Sequence, residues 1–141
     1  MVKNMLMQLD WDQPPAHTAR QVLQLARQLE ATLTLLIIRQ QLDELMESDR
    51  EAFVLATLTQ LEATRQILQS EAQALGVNLI VEIAASGHPI DTLLAFGTEQ
   101  HFDLLVVCKP HEHHRLRDAI SGEPWKQITT RSTLPVLVMP S

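Results

Sequence analysis

Cysteine is almost missing from this chain, with Cys108 the only one in 141 residues. A disulfide within the chain and a four-thiolate zinc site are thereby excluded, and the thiol content fits a reducing, cytoplasmic setting. Positive charge is also in short supply: 11 Lys and Arg stand against 17 Asp and Glu, a formal charge of -6. Nucleic acid is therefore not an expected partner, since clustered cations are what displace counterions from a phosphate backbone. No apolar run approaches the roughly 20 residues that cross a bilayer, so membrane insertion is not expected. Residues 1–10 carry one lysine and a short apolar run with no cleavage-type segment after it, which reads as an opening strand and not as a targeting peptide. Neither proline, glycine nor charge is concentrated enough to mark a disordered tail.

What is present is enough apolar material, 45% of the chain, for a single domain with a core of its own. Residues 4–9 are too short for a helix and read as a first strand ending at Asp10. Residues 16–30 place Ala19, Val22, Leu23, Leu25, Ala26 and Leu29 on one stripe, an amphipathic helix. The near-continuous β-branched and leucine run 32–38 suits a strand covered on both faces in a parallel sheet. A long helix is predicted over 50–75, its stripe including Leu58, Leu61, Ile67 and Leu68, with Gly76 as its stop. Strands are predicted over 77–84, 103–107 and 134–139, with helices over 90–101 and 125–131 between them. Five strands alternating with helical segments define an α/β domain, a doubly wound parallel sheet with helices on both faces.

Asp10 closing strand one, the Gly87-x-Pro89 turn before the third helix, Asp103-Leu-Leu-Val-Val and Pro135-Val-Leu-Val follow one another as in the universal stress protein family, which the whole chain resembles. The resemblance implies the strand order 3-2-1-4-5, with ligands at the carboxyl ends of the strands. Nucleotide-binding members of that family carry Gly-x2-Gly-x9-Gly-Ser/Thr after strand four, where small residues let backbone N–H groups reach phosphates. Here Cys108 and His111 stand at the first two glycine positions, the spacing to Gly122 is one residue longer, and Glu123 replaces the hydroxyl residue. Each Cβ obstructs the approach, and a carboxylate repels phosphate unless neighbouring cations compensate. The segment from Lys109 through His111, His113 and Arg115 to Leu116, followed by Trp125 and Arg131, is similar to one half of the tandem E-type universal stress proteins.

Several chemistries remain open on these residues. Cys108, His111, His113 and His114 are zinc-suited types within seven residues, but no fourth ligand pattern or second shell is legible, so no metal is assigned. Cys108 with a nearby histidine is the only nucleophile–base pairing, and no third group orients it; an inert thiol at a strand end is the alternative reading. Trp11 either walls a cleft or covers the sheet edge.

The expectation is a non-enzymatic, stress-associated regulatory binding protein without a cofactor. Its small anionic or amphipathic ligand would sit among Asp10, Trp11, Gly87, Cys108, Lys109, His111, His113, Arg115, Gly122 and Glu123. The resemblance implies a homodimer through Pro135, Val136, Leu137, Val138 and Met139 in the last strand. The alternatives are a nucleotide binder (ATP or AMP) with a rewired phosphate loop, and a zinc-binding protein using the histidine segment.

Overall fold

A computed structural model of the chain describes residues 1–10, 16–39, 47–109 and 124–140. The elements run β1 (Asn4–Asp10), α1 (Ala16–Leu29), β2 (Thr32–Arg39), α2 (Glu47–Leu75), β3 (Leu79–Ala85), α3 (Pro89–Glu99), β4 (Leu104–Lys109), α4 (Pro124–Arg131) and β5 (Val136–Pro140). The strands form one sheet in the order β3-β2-β1-β4-β5, and every pairing is parallel. Period-two alternation sends successive side chains to opposite faces. Met5, Met7, Leu33, Leu35, Ile37 and Val106 pack with Ala19, Val22, Leu23 and Leu68 of α1 and α2. Leu6, Leu36, Ile38, Leu105 and Val107 pack with Leu93 and Ile128 of α3 and α4. Both faces of β1 and β2 are thus covered, which is why the 32–38 run shows no polar side.

Three helices stop in the same way. Glu30, Gly76 and His101 take positive φ of 55°, 73° and 58°. The next residue in each case donates back to the carbonyl five positions earlier: Ala31 to Ala26, Val77 to Ala72 and Phe102 to Gly97. This left-handed stop satisfies carbonyls the helix end would leave bare. It also drops Ala31, Val77 and Phe102 into the core. The sequence reading placed Val77 inside strand three; the structure spends it on the helix stop and starts β3 at Leu79.

The stripe predicted along α2 is corrected at two positions. Leu61, Leu68 and Ala72 are buried, whereas Leu58 and Ile67 are 43% and 52% exposed. Ile67 is turned about 100° from Leu68 around the helix. Leu58 lies about 60° around the helix from Leu61, off the centre of the buried stripe; α2, at 29 residues, is about 43 Å long whereas the eight-residue β2 spans about 26 Å. With its last turn fixed at the start of β3, the surplus extends past the strands' carboxyl ends.

Asp103 was expected to open strand four, but it precedes β4 and accepts hydrogen bonds from the backbone N–H groups of Lys3 (3.0 Å) and Asn4 (2.9 Å). Those two bonds hold its carboxyl below the ordinary carboxylate range. A carboxyl whose folded pKa is depressed contributes stability above its unfolded pKa and loses it as pH falls through the folded value. Asp103→Ala is therefore expected to lower the thermal midpoint near neutral pH, with the gap from wild type closing below about pH 4. Calorimetry at several pH values checks this; a gap that persists at acid pH would assign the loss to packing.

Candidate functional site

The sheet itself marks where a ligand can enter. β1 pairs with β2 along its whole length, up to Asp10 opposite Ile38, and β4 pairs with β5 up to Lys109 opposite Pro140. Between β1 and β4 the register covers only Met5 with Leu104, Leu6 with Leu105 and Met7 with Val106. Past Met7 and Val106 no further pair joins these two strands among the described residues, although each continues for three residues. The chain leaves β1 toward α1 on the face of the first core and leaves β4 toward α4 on the face of the second. Connections departing on opposite faces at a reversal of strand order open a crevice at the carboxyl ends.

The residues singled out in the sequence distribute around this opening as follows. Asp10 is the last residue of β1. Cys108 and Lys109 are the last two of β4, and neighbours in a strand face opposite ways. Cys108 is half-buried against the first core. Lys109 goes to the other face, its Nζ 5.4 Å from the ring centroid of Trp125. Lys126 approaches the same ring at 5.6 Å, and Trp125 itself packs on the second core. Each such cation–π contact contributes about 0.5–1 kcal/mol at an exposed site.

Gly87 is exposed in the turn between β3 and α3. That turn is tied internally: Ser86 Oγ accepts from the His88 N–H at 2.9 Å. The Thr92 hydroxyl lies 2.7 Å from Ser86 Oγ and 3.0 Å from the His88 carbonyl. Asp91 pairs with Arg131, linking α3 to α4. Trp11, His111, His113, His114, Arg115, Gly122 and Glu123 lie outside the described residues. Among the described residues no group of three or more His, Cys, Asp or Glu side chains could hold a metal, and no helix is long and apolar enough to cross a membrane.

A cavity of about 50 Å³ lies elsewhere, lined by Leu93, Gly97, Leu105, Arg131 and Leu134 among others. It has room for a few waters but not for a metabolite. The helix–strand approach there is close, since a Cβ on Gly97 would stand 3.2 Å from Leu134 Cδ1.

The sequence reading did not assign Trp125 and Lys126 to the site. Lys109 and Trp125 lie sixteen positions apart, and no local spacing signals the pair; only the packing of α4 beside the end of β4 brings them together.

The arrangement can be set beside known proteins. The universal stress protein from Lactobacillus plantarum matches with a TM-score of 0.73 and 21% identity, over 98% of this chain and 97% of that one. A universal stress protein solved in complex with cAMP matches with a TM-score of 0.67 and 19% identity, over 99% and 97%. One from Archaeoglobus fulgidus in complex with dAMP matches with a TM-score of 0.64 and 13% identity, over 98% of each chain. No curated protein matches the chain. The model of the universal stress protein family matches residues 1–140, and with the strand order in agreement, the chain belongs to the universal stress protein family.

Proposed function

We propose that this chain is a non-catalytic regulatory binding protein that takes a small anionic ligand in the crevice between the carboxyl ends of β1 and β4. The observation that carries this reading is the three-pair register of β1 with β4, against seven pairs for β1 with β2. The crevice is flanked by the two strand ends, Asp10 of β1 and Lys109 of β4. Cys108 packs against the first core.

The phosphate cradle used by nucleotide-binding members is altered at Cys108, His111 and Glu123. Cys108 brings a Cβ where nucleotide-binding members have a glycine, and a Cβ hinders the close approach of backbone N–H groups on which a triphosphate depends. The single phosphates of cAMP and dAMP, bound by two structural neighbours, favour a second, narrower reading: an adenine nucleotide with one phosphate. ATP is expected to bind weakly and AMP more tightly, as read by calorimetric titration. Sub-micromolar affinity for ATP overturns this, and Cys108→Gly with His111→Gly and Glu123→Ser should raise ATP affinity if the obstruction is as described. Zinc titration separates the metal-binding alternative.

The same reading includes a homodimer through β5. Both β3 and β5 are edges, but β3 is partly blocked: Gln69 of α2 donates to the Leu79 carbonyl at 3.0 Å. Leu33 N–H is bonded to the Asn78 carbonyl, so Leu79, the next residue along, directs its carbonyl outward, and Gln69 occupies a position an added strand would need. β5 carries Val136, Leu137, Val138 and Met139 at its edge, all half-buried in the single chain.

A further inference from the structure

We propose that the β3 edge, beside the amino-terminal half of α2, docks a short extended peptide of another protein, one that alternates apolar side chains with Lys or Arg and adds to the sheet as a further strand. Of the large apolar residues left exposed among the described ones, all but Met1 belong to these two elements: Leu55, Leu58 and Ile67 of α2, with Ile80 and Ile83 of β3. The backbone at this edge is ready for pairing. Leu33 donates its N–H to the Asn78 carbonyl, and with Leu33 in register with Leu79 the parallel pattern turns Leu79, Val81 and Ile83 outward. Gln69 takes the Leu79 carbonyl at 3.0 Å, which closes the edge to a full-length strand such as that of a second copy. Val81 and Ile83 keep outward N–H and C=O groups that nothing among the described residues bonds, and a peptide of a few residues can pair with them.

The bond from Gln69 also shows which row of α2 borders the edge. Arg65, Glu62, Leu58, Leu55 and Glu51 precede Gln69 at spacings of three and four, which places them in one row along the helix. Leu58 lies about 16 Å along the helix axis from Gln69, and Ile83 about 13 Å along the strand from Leu79, so α2, which runs down to the start of β3, sets Leu58 level with Ile83. Alternation puts Ile83 on the α2 face with Leu79 and Val81, so an apolar peptide side chain on that face has Leu58 on one side and Ile83 on the other. Charge then selects the peptide's remaining positions. Glu62 is paired with Arg65 at 2.7 Å, but Glu51, at the end of the row, and Glu82, on the other face of β3, are exposed and in no ion pair among the described residues. A strand sends alternate side chains to opposite faces, so a peptide whose apolar residues meet Leu58 and Ile83 presents its intervening residues to Glu82, where a cation is favoured. The formal charge of -6 draws a partner of the same sign.

The test uses the full chain and two labelled six-residue peptides blocked at both ends, one alternating valine with lysine and the other valine with glutamate, read by fluorescence anisotropy. Wild type is expected to bind the lysine peptide about tenfold more tightly than the glutamate peptide, since opposite charges across a strand pair stabilise it and like charges oppose it. Saturation with the lysine peptide should slow amide exchange at Val81 and Ile83. Glu82→Lys should abolish the preference between the peptides. Leu58→Lys, at an exposed position, and Ile83→Pro, on a sheet edge that accepts proline, should each weaken the lysine peptide about tenfold, with the thermal midpoint of Leu58→Lys near wild type. Failure of wild type to bind the lysine peptide overturns the proposal, as does binding that leaves exchange at Val81 and Ile83 unchanged and survives Leu58→Lys. Self-association that is lost in Ile83→Pro and kept in Val138→Pro gives the edge to a second copy and overturns it equally.

Discussion

Leu6→Ala is expected to lower the unfolding free energy by about 2–5 kcal/mol, and with it the thermal midpoint by roughly 5–20 °C. Leu6 sits on the middle strand with no exposed surface and packs in the second core with Leu36, Leu93, Phe102 and Leu105. Its space is not one that neighbours can refill. The helix above it contributes Gly97, at which even a Cβ would lie 3.5 Å from Leu6 Cδ2. The partners in register are the short Thr34, across β1 and β2, and Leu105, already committed to the core. Truncation therefore leaves a void, and both transfer and cavity terms apply. Leu55→Ala is the matched control: 69% exposed on α2, it should change stability by less than about 0.5 kcal/mol. Denaturant titration of both variants decides the matter, and a Leu6→Ala loss below about 1 kcal/mol would mean that the α3 layer is not seated on β1.

Val138→Pro is expected to dissociate the proposed dimer while leaving the single chain folded. Leu105 donates its N–H to the Pro135 carbonyl, which fixes the alternation: Pro135, Leu137 and Met139 direct their backbone groups toward β4, and Val136 and Val138 direct theirs outward. Proline at Val138 removes an outward donor and adds a ring on the free edge, a place where folded sheets accept proline. The β4–β5 ladder keeps its bonds. Native mass spectrometry should show the wild type at twice the chain mass and the variant at the chain mass, with dissociation by at least about 100-fold in affinity. A variant that stays dimeric moves the interface off β5. A wild type that is monomeric at micromolar concentration removes the dimer from the proposal. Leu137→Lys is a less clean probe, since Leu137 also packs against the first core.

The fold was legible because its signals are local. Thr32 to Ile38 announce a strand covered on both faces by the lack of any polar alternation, and Gly76 marks a stop that needs positive φ. The strand order came from resemblance and not from periodicity, which says nothing about which strands are neighbours. Where the reading slipped, angular position was responsible: Leu58 lies about 60° from Leu61 and Ile67 about 100° from Leu68 around the helix, beside the buried stripe and not on it. Glu30 and His101 make the same stop as Gly76 without being glycine, so composition alone could not reveal that three helices end alike.

The site was less legible. Strand ends at Asp10, Cys108 and Lys109 are readable from hydrophobic runs, and the altered glycine positions from motif comparison. Alternation along β4 then separates Cys108 from Lys109 by a full sheet thickness, which a linear motif written as Cys-Lys-Pro-His hides. Nor does any spacing rule connect Lys109 to Trp125, because the tie passes through the docking of α4.

The repeated helix stop gives the molecule two unlike ends. At the amino edge the chain turns from helix to strand within two to four residues, at 30–31, 76–78, 100–103 and 132–135; at the carboxyl edge the links 11–15, 40–46, 86–88 and 110–123 are five, seven, three and fourteen residues long. Insertions and substitutions in the longer of those links leave every left-handed stop and every buried residue behind it untouched. A protein built this way can change what it recognises by editing one rim while inheriting its floor unaltered.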